Sequence, residues 1–177
     1  MEKIMDSLKR WEHRWLTPKA ESFDSPSHGL GIRAKEDIKK GENVLFFGGV
    51  IIHKSQIEEY WKIMGHVGAQ IDDDFFIVPT SREELKARGV INHSCEPNVG
   101  FKSQIQLCVI RDIKAGDEIF VDYSFCESSY PNSFACNCGS DHCRKEITKD
   151  DWKIKNIQTK YFAYFSPYLK AKIEKVD

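Results

Sequence analysis

Three thiols crowd into one short run, Cys136-Asn137-Cys138-Gly139-Ser140-Asp141-His142-Cys143. Thiolates at C-x-C-x4-C spacing suit a tetrahedral zinc ion, which binds sulfur at about 2.3 Å, and Gly139 lets the backbone wrap around it. A closed site needs a fourth donor from elsewhere. Cys95, Cys126, Cys108, His93 and His142 are the candidates. His142 adjoins Cys143, and neighbouring side chains rarely reach one ion. Cys108 lies in an apolar run and reads as a small buried hydrophobe. Cys95 stands in the polar stretch Asn92-His93-Ser94-Cys95-Glu96-Pro97-Asn98, where a turn calls for Asn, Pro and Ser but no thiol. That favours Cys95 and leaves Cys126, in a loop, open. A bound metal would tie residues 134–146 to the 92–98 stretch and make their order depend on it.

The elements that must position these groups are bounded by composition. With 177 residues, 41% of them hydrophobic and 12% aromatic, the chain suits one domain with a substantial core. Half of its six cysteines fall in the cluster, which favours a metal in a reducing compartment over a disulfide framework. No apolar run approaches a membrane span, and the Met1-Glu2-Lys3-Ile4 start is not followed by a signal-peptide core. The expectation is a soluble, intracellular protein, cytoplasmic or nuclear, with no membrane partner. The net charge is −1, but from Arg144 onward nine Lys/Arg face five Asp/Glu. Without a strong basic footprint or interleaved aromatic and basic residues, the pattern argues against direct nucleic-acid binding.

Ile4, Leu8, Trp11 and Trp15 recur at helical spacing, so residues 3–16 predict an amphipathic helix ended by Thr17-Pro18. Residues 19–29 read as a polar linker. Short strands follow within 43–52 (broken by Gly48-Gly49), 75–78, 105–110 and 118–121, with a helix over 55–64. Residues 37–45 and 112–120 echo each other, each pairing an isoleucine with a turn glycine ahead of an apolar strand. From Ile147 onward the pattern turns helical, with a break and restart at Ser166-Pro167.

Taken in order, His28-Gly29-Leu30-Gly31, the 92–98 string, Gly116-Asp117-Glu118-Ile119-Phe120-Val121-Asp122-Tyr123 and the cysteine cluster resemble a SET-domain protein lysine methyltransferase with a post-SET zinc segment. The resemblance covers about residues 29–143. It implies a mainly β fold of several small sheets with flanking helices and knot-like C-terminal threading. It divides the chain into a 1–26 helical flank, a 27–125 SET domain, a 126–146 zinc segment and a 147–177 helical tail. The implied activity is methyl transfer from S-adenosylmethionine (AdoMet) to the side-chain amine of a lysine in a protein or peptide. By the same resemblance, Leu30, Gly31, Asn92, His93 and Tyr123 contact AdoMet, and Tyr123 is the catalytic residue. Phe46, Val121 and Phe125 border the lysine channel, with Phe125 and Phe134 as candidates for the channel wall or the adenine pocket and Trp152 as a cover for the adenine. Cys95, Cys136, Cys138 and Cys143 hold a structural zinc.

Chemically, a neutral amine must displace the sulfonium methyl. A lysine of pKa near 10.4 must first lose a proton, which a dry channel and an adjacent positive charge favour. The chain departs from the family pattern at three places. Phe46 stands where many members carry Tyr, Gly89 where Arg is common, and Val121 where an aromatic can limit methyl number. The missing hydroxyl at Phe46 motivates the alternative, a non-catalytic SET-fold interaction module. Substrate, degree of methylation and oligomeric state have no signal in the sequence.

Overall fold

A computed structural model describes residues 13–26, 28–129 and 133–175. In chain order the strands are β1 (Trp15–Leu16), β2 (Ala20–Ser25), β3 (Gly29–Ala34), β4 (Asn43–Phe46), β5 (Val50–His53), β6 (Ala69–Gln70) and β7 (Phe75–Val78). They continue as β8 (Asn92–His93), β9 (Val99–Ser103), β10 (Gln106–Val109), β11 (Phe120–Val121), β12 (Phe134–Ala135) and β13 (Glu146–Ile147). The described helices are α1 (Lys54–Met64), α2 (Arg82–Arg88), α3 (Lys155–Tyr161) and α4 (Pro167–Glu174).

The strands form small sheets: β1-β4-β10-β9, β5-β7-β6, and the pairs β2-β3, β8-β11 and β12-β13. Apolar side chains from these sheets meet the C-terminal helices in one core, where Leu45, Phe101, Leu107 and Ile119 join Phe125, Phe165, Leu169 and Ile173. Each such side chain contributes about 1.5–3 kcal/mol on burial. Helix α1 lies apart, burying Ile57 on Phe76 and Val78. His53 caps it by accepting from the Ser55 amide, and Gln56 reciprocates.

The echoed segments pair with each other. Ile38 and Ile113 exchange backbone hydrogen bonds of 2.9 Å in both directions. Around them the charges repeat with near two-fold symmetry: Lys39 meets Asp112 at 2.9 Å, and Lys114 meets Asp37 at 2.7 Å.

Three expectations change. Most of the helix placed at 3–16 lies outside the described residues, but its described end, Trp15–Leu16, is strand paired with Phe46 and Leu45. The supposed linker contains β2, which pairs along its whole length with β3. Its Ser, Asp and Glu content masked a strand whose pairing partner lies in the adjoining sequence. Ile147 belongs to β13, opposite Phe134, so helical structure starts only at the 3-10 turn Asp151–Lys153, where Thr148 donates its amide and hydroxyl to Asp151. The Ser166-Pro167 restart stands as expected, with Ser166 capping α4 and Pro167 in its first turn.

Candidate functional site

The parallel pairing of β8 with β11 sets Asn92 opposite Phe120 and His93 opposite Val121. Asn98 secures the crossing: its amide donates to the Glu118 carbonyl at 2.8 Å and its oxygen accepts from the Phe120 amide at 2.8 Å. Beside this crossing, the Asn92 amide donates to the Leu30 carbonyl at 3.2 Å and to Glu118 Oε1 at 3.0 Å. Glu118 Oε2 accepts from the Ser25 hydroxyl at 2.8 Å. Gly31 lies within this group. A Cβ there would come 2.8 Å from Glu118 Oε1, 2.9 Å from the Phe23 ring and 3.1 Å from Asn92 Nδ2. Glycine is therefore required by close approach. Gly89 follows the same logic: at φ +74 its Cβ would lie 2.4 Å from Ile32 and 2.6 Å from the Gly31 carbonyl, so no arginine fits there.

Leu30, Gly31 and Asn92 are thus brought together, and the geometry adds Glu118 and Ser25. Glu118 stood inside a motif string, but its identity alone gave no sign that it would face Asn92. The Glu118 carboxylate, the Leu30 carbonyl and the Asn92 amide make an acceptor-rich cradle of the kind that suits an ammonium group.

His93 is buried between two functions. Its Nδ1 accepts from the Tyr123 backbone amide at 3.2 Å, which leaves the proton on Nε2 to face Cys95 Sγ at 3.5 Å. Burial lowers its pKa to about 4, against the opposing pull of Asp122. The ring is therefore neutral near pH 7 and links the thiol cluster to Tyr123. Among the described residues, Cys95, Cys136, Cys138 and Cys143 place their sulfurs within 4.8 Å of one another, and Cys95 and Cys136 are 3.9 Å apart. Tetrahedral zinc demands sulfur separations of about 3.8 Å, so this donor set fits the ion. Cys126 is elsewhere, buried next to Glu127. Arg144, directly after the last thiol, donates from its backbone to Cys95 Sγ at 3.4 Å. Its guanidinium makes two bonds to Asp122, 2.6 and 2.7 Å, and one to Asp151, 2.8 Å. The cysteine segment is thereby clamped to the residue preceding Tyr123.

Tyr123 opens a 3-10 turn, Tyr123–Phe125, capped by Asp122. Its hydroxyl donates to the Ile91 carbonyl at 3.1 Å, and burial raises its pKa. The ring packs near His93 and near Phe134 of β12, at centroid distances of 5.2 and 6.0 Å. Tyr123 also lines a cavity of about 30 Å³ together with Val121, Phe47, Ile91, Arg14 and Glu127. The three residues expected around the channel separate. Val121 lines the cavity, whereas Phe46 stacks edge-on against Trp15 in the β1-β4 pair. Phe125 is fully buried against Tyr161 and Phe165. Phe47, one residue after Phe46, takes the lining position because successive strand residues face opposite sides. Trp152 is buried in the core. Glu127 had no sequence signal beyond following Tyr123 by four.

The SET domain family model matches residues 29–124, more than half of the chain. The chain belongs to the SET domain family. Among sequence relatives, it is 33% identical over 135 residues to human Histone-lysine N-methyltransferase 2B, covering 70% of this chain and 5% of that protein. It is 34% identical over 138 residues to Drosophila virilis Histone-lysine N-methyltransferase trithorax, covering 71% and 4%. The chain therefore spans a small part of these relatives. Among solved structures, KRYPTONITE in complex with mCHG DNA and SAH aligns with a TM-score of 0.57 and 27% identity, over 75% of this chain and 30% of that one. The methyltransferase domain of human SETMAR shares the fold at a TM-score of 0.57 and 20% identity, covering 75% and 59%. The KRYPTONITE complex corrects the expectation against nucleic-acid contact, since a relative of this fold is seen with DNA. Among the described residues no helix is long and apolar enough to cross a membrane.

Proposed function

We propose that this chain transfers a methyl group from AdoMet to the side-chain amine of a lysine in a histone. The observation that carries this is the junction at β8 and β11. There the Asn92–Glu118 cradle, the cavity under Tyr123 and the four-thiol cluster share adjacent residues of two paired strands. Histone specificity rests on the names of the sequence relatives, and a nuclear location follows from that reading.

AdoMet, when bound, supplies a methyl group on a positively charged sulfur. Leu30 and Gly31 main chain, Asn92 and His93 would hold it, with Glu118 as an added acceptor for its ammonium. Tyr123 would orient the lysine amine through its hydroxyl, acting by position without forming a bond. Val121 and Phe47 would exclude water from the amine. Zinc on Cys95, Cys136, Cys138 and Cys143 would be structural, since four thiols leave no open position. Phe46, whose missing hydroxyl favoured a non-catalytic reading, lies away from the cavity and gives that alternative little support.

Incubation with labelled AdoMet and purified core histones tests the reading, followed by mass spectrometry of methylated lysines in a cell lysate. Label on lysine is expected. Failure to label either mixture, with AdoMet still raising the melting temperature, would sink it, and label confined to other lysate proteins would sink the histone assignment.

A further inference from the structure

The turn that carries Tyr123 ends in a second functional group. The Glu127 amide donates to the Tyr123 carbonyl at 2.9 Å, which folds the chain after the 3-10 turn back onto the residue that opens it. Both line the same cavity, which has room for an ammonium head. Glu127 is 8% exposed. Its carboxylate faces the Cys126 thiol at 3.8 Å and the backbone amide of Gln70.

A buried carboxylate with no cation bonded to it among the described residues is expensive to keep. A glutamine would satisfy the Gln70 amide as well, so local structure alone does not require the charge. Methyl transfer does require an acceptor, because the lysine enters as an ammonium ion and must lose one proton before it can attack. The other titratable groups that face Glu127 are Tyr123 and Cys126 on its own turn, Arg14 from the segment before β1, and His66 from the loop after α1. Tyr123 already donates to Ile91 and is pushed up by burial. Burial pushes the Cys126 thiol well up too. Arg14 is a cation, buried over the Phe47 ring at 5.4 Å, and its charge disfavours a second cation beside it.

We propose that Glu127 receives the ε-ammonium of the target lysine and accepts its proton. The N–H bond breaks with its electron pair left on nitrogen, and an O–H bond forms on the carboxyl group. Nothing is oxidised or reduced. The freed lone pair is then available for methyl transfer, and the Glu127 proton leaves to solvent after each cycle. Burial, opposed by the Gln70 amide, raises this carboxyl group to about 7, which suits a base at neutral pH. This assignment rests on the methyl-transfer reading above.

The test has two arms on the full chain. In the first, glutamate-carboxyl 13C NMR follows one resonance, assigned by its loss in Glu127→Gln, through a pH titration with and without n-butylamine. A midpoint near 7 that falls when the amine is added is expected. An ordinary glutamate midpoint, or no response to the amine, would overturn the proposal. In the second arm, kcat/KM on core histones is measured against pH. Wild type, His66→Gln and Glu127→Asp should lose activity as pH falls through 7, while Glu127→Gln loses that limb and about 100-fold in rate. A Glu127→Gln enzyme with wild-type rate and profile, or a limb that disappears with His66→Gln, would also overturn it. If wild type transfers no methyl to any protein, the methyl-transfer reading fails and Glu127's role in it falls with it; if wild type is active, a failed NMR arm overturns Glu127 alone.

Discussion

At residue scale, Tyr123 and Glu127 separate by kind of effect. Replacing Tyr123 by Phe removes only the hydroxyl, so AdoMet should still protect against heating while methyl transfer falls about 100-fold. Both quantities can be read on one preparation. Glu127 makes a stability prediction independent of substrate. Its carboxyl is raised from 4.5 to about 7 by burial, so the native chain keeps a proton that the unfolded chain releases. Stability is therefore lost as pH rises from about 4.5 to 7, by about 3 kcal/mol in total. Glu127→Gln should melt higher than wild type at pH 8 and show no such advantage at pH 4.5; an equal shift at both would refute this origin. The thiols, Asn92 and Tyr123 were legible because motif strings carry them. Glu118 and Glu127 were not, because a lone carboxyl has no spacing signal until folding sets Asn92 or the Tyr123 turn beside it.

At the scale of elements, the β12-β13 pair and the cysteine loop depend on two fasteners. One is the thiol cluster, and the other is Arg144 on Asp122 and Asp151. Arg144→Ala would leave the 1% exposed Asp122 carboxylate without its cation, at a cost of about 3–5 kcal/mol. The change should also loosen hydrogen-exchange protection around Tyr123. For the metal, Cys95→Ser should reduce bound zinc and AdoMet affinity together, whereas Cys126→Ser should leave zinc unchanged. Zinc released only by Cys126→Ser would reverse the ligand assignment. Strands with apolar runs, such as β4, β7 and β10, were visible in sequence, as was α1. The β2 strand was hidden because one face is wet and its side chains are polar, so its identity comes from pairing with β3.

At the scale of the whole molecule, the expected 147–177 tail shares the main core with the SET strands. Phe165 packs on Phe125 at 5.1 Å, and the Ser166 amide donates to the Phe125 carbonyl at 2.8 Å. Leu169→Ala, at a fully buried position, should cost about 2–5 kcal/mol in urea unfolding, as a core residue would. A surface-like effect below 0.5 kcal/mol would mark the tail as separate. The echo of residues 37–45 in 112–120 could be seen in the sequence, but not that the copies bind one another, since a repeat does not reveal its own pairing. The tail's share in the core also orders events in time. During synthesis Phe125 emerges long before Phe165, Leu169 and Ile173, so the ribosome must add the tail before the core around Phe125 can close. A nascent chain stalled before Phe165 would display β strands and thiols with Phe125 uncovered, and quality control would meet it in that state.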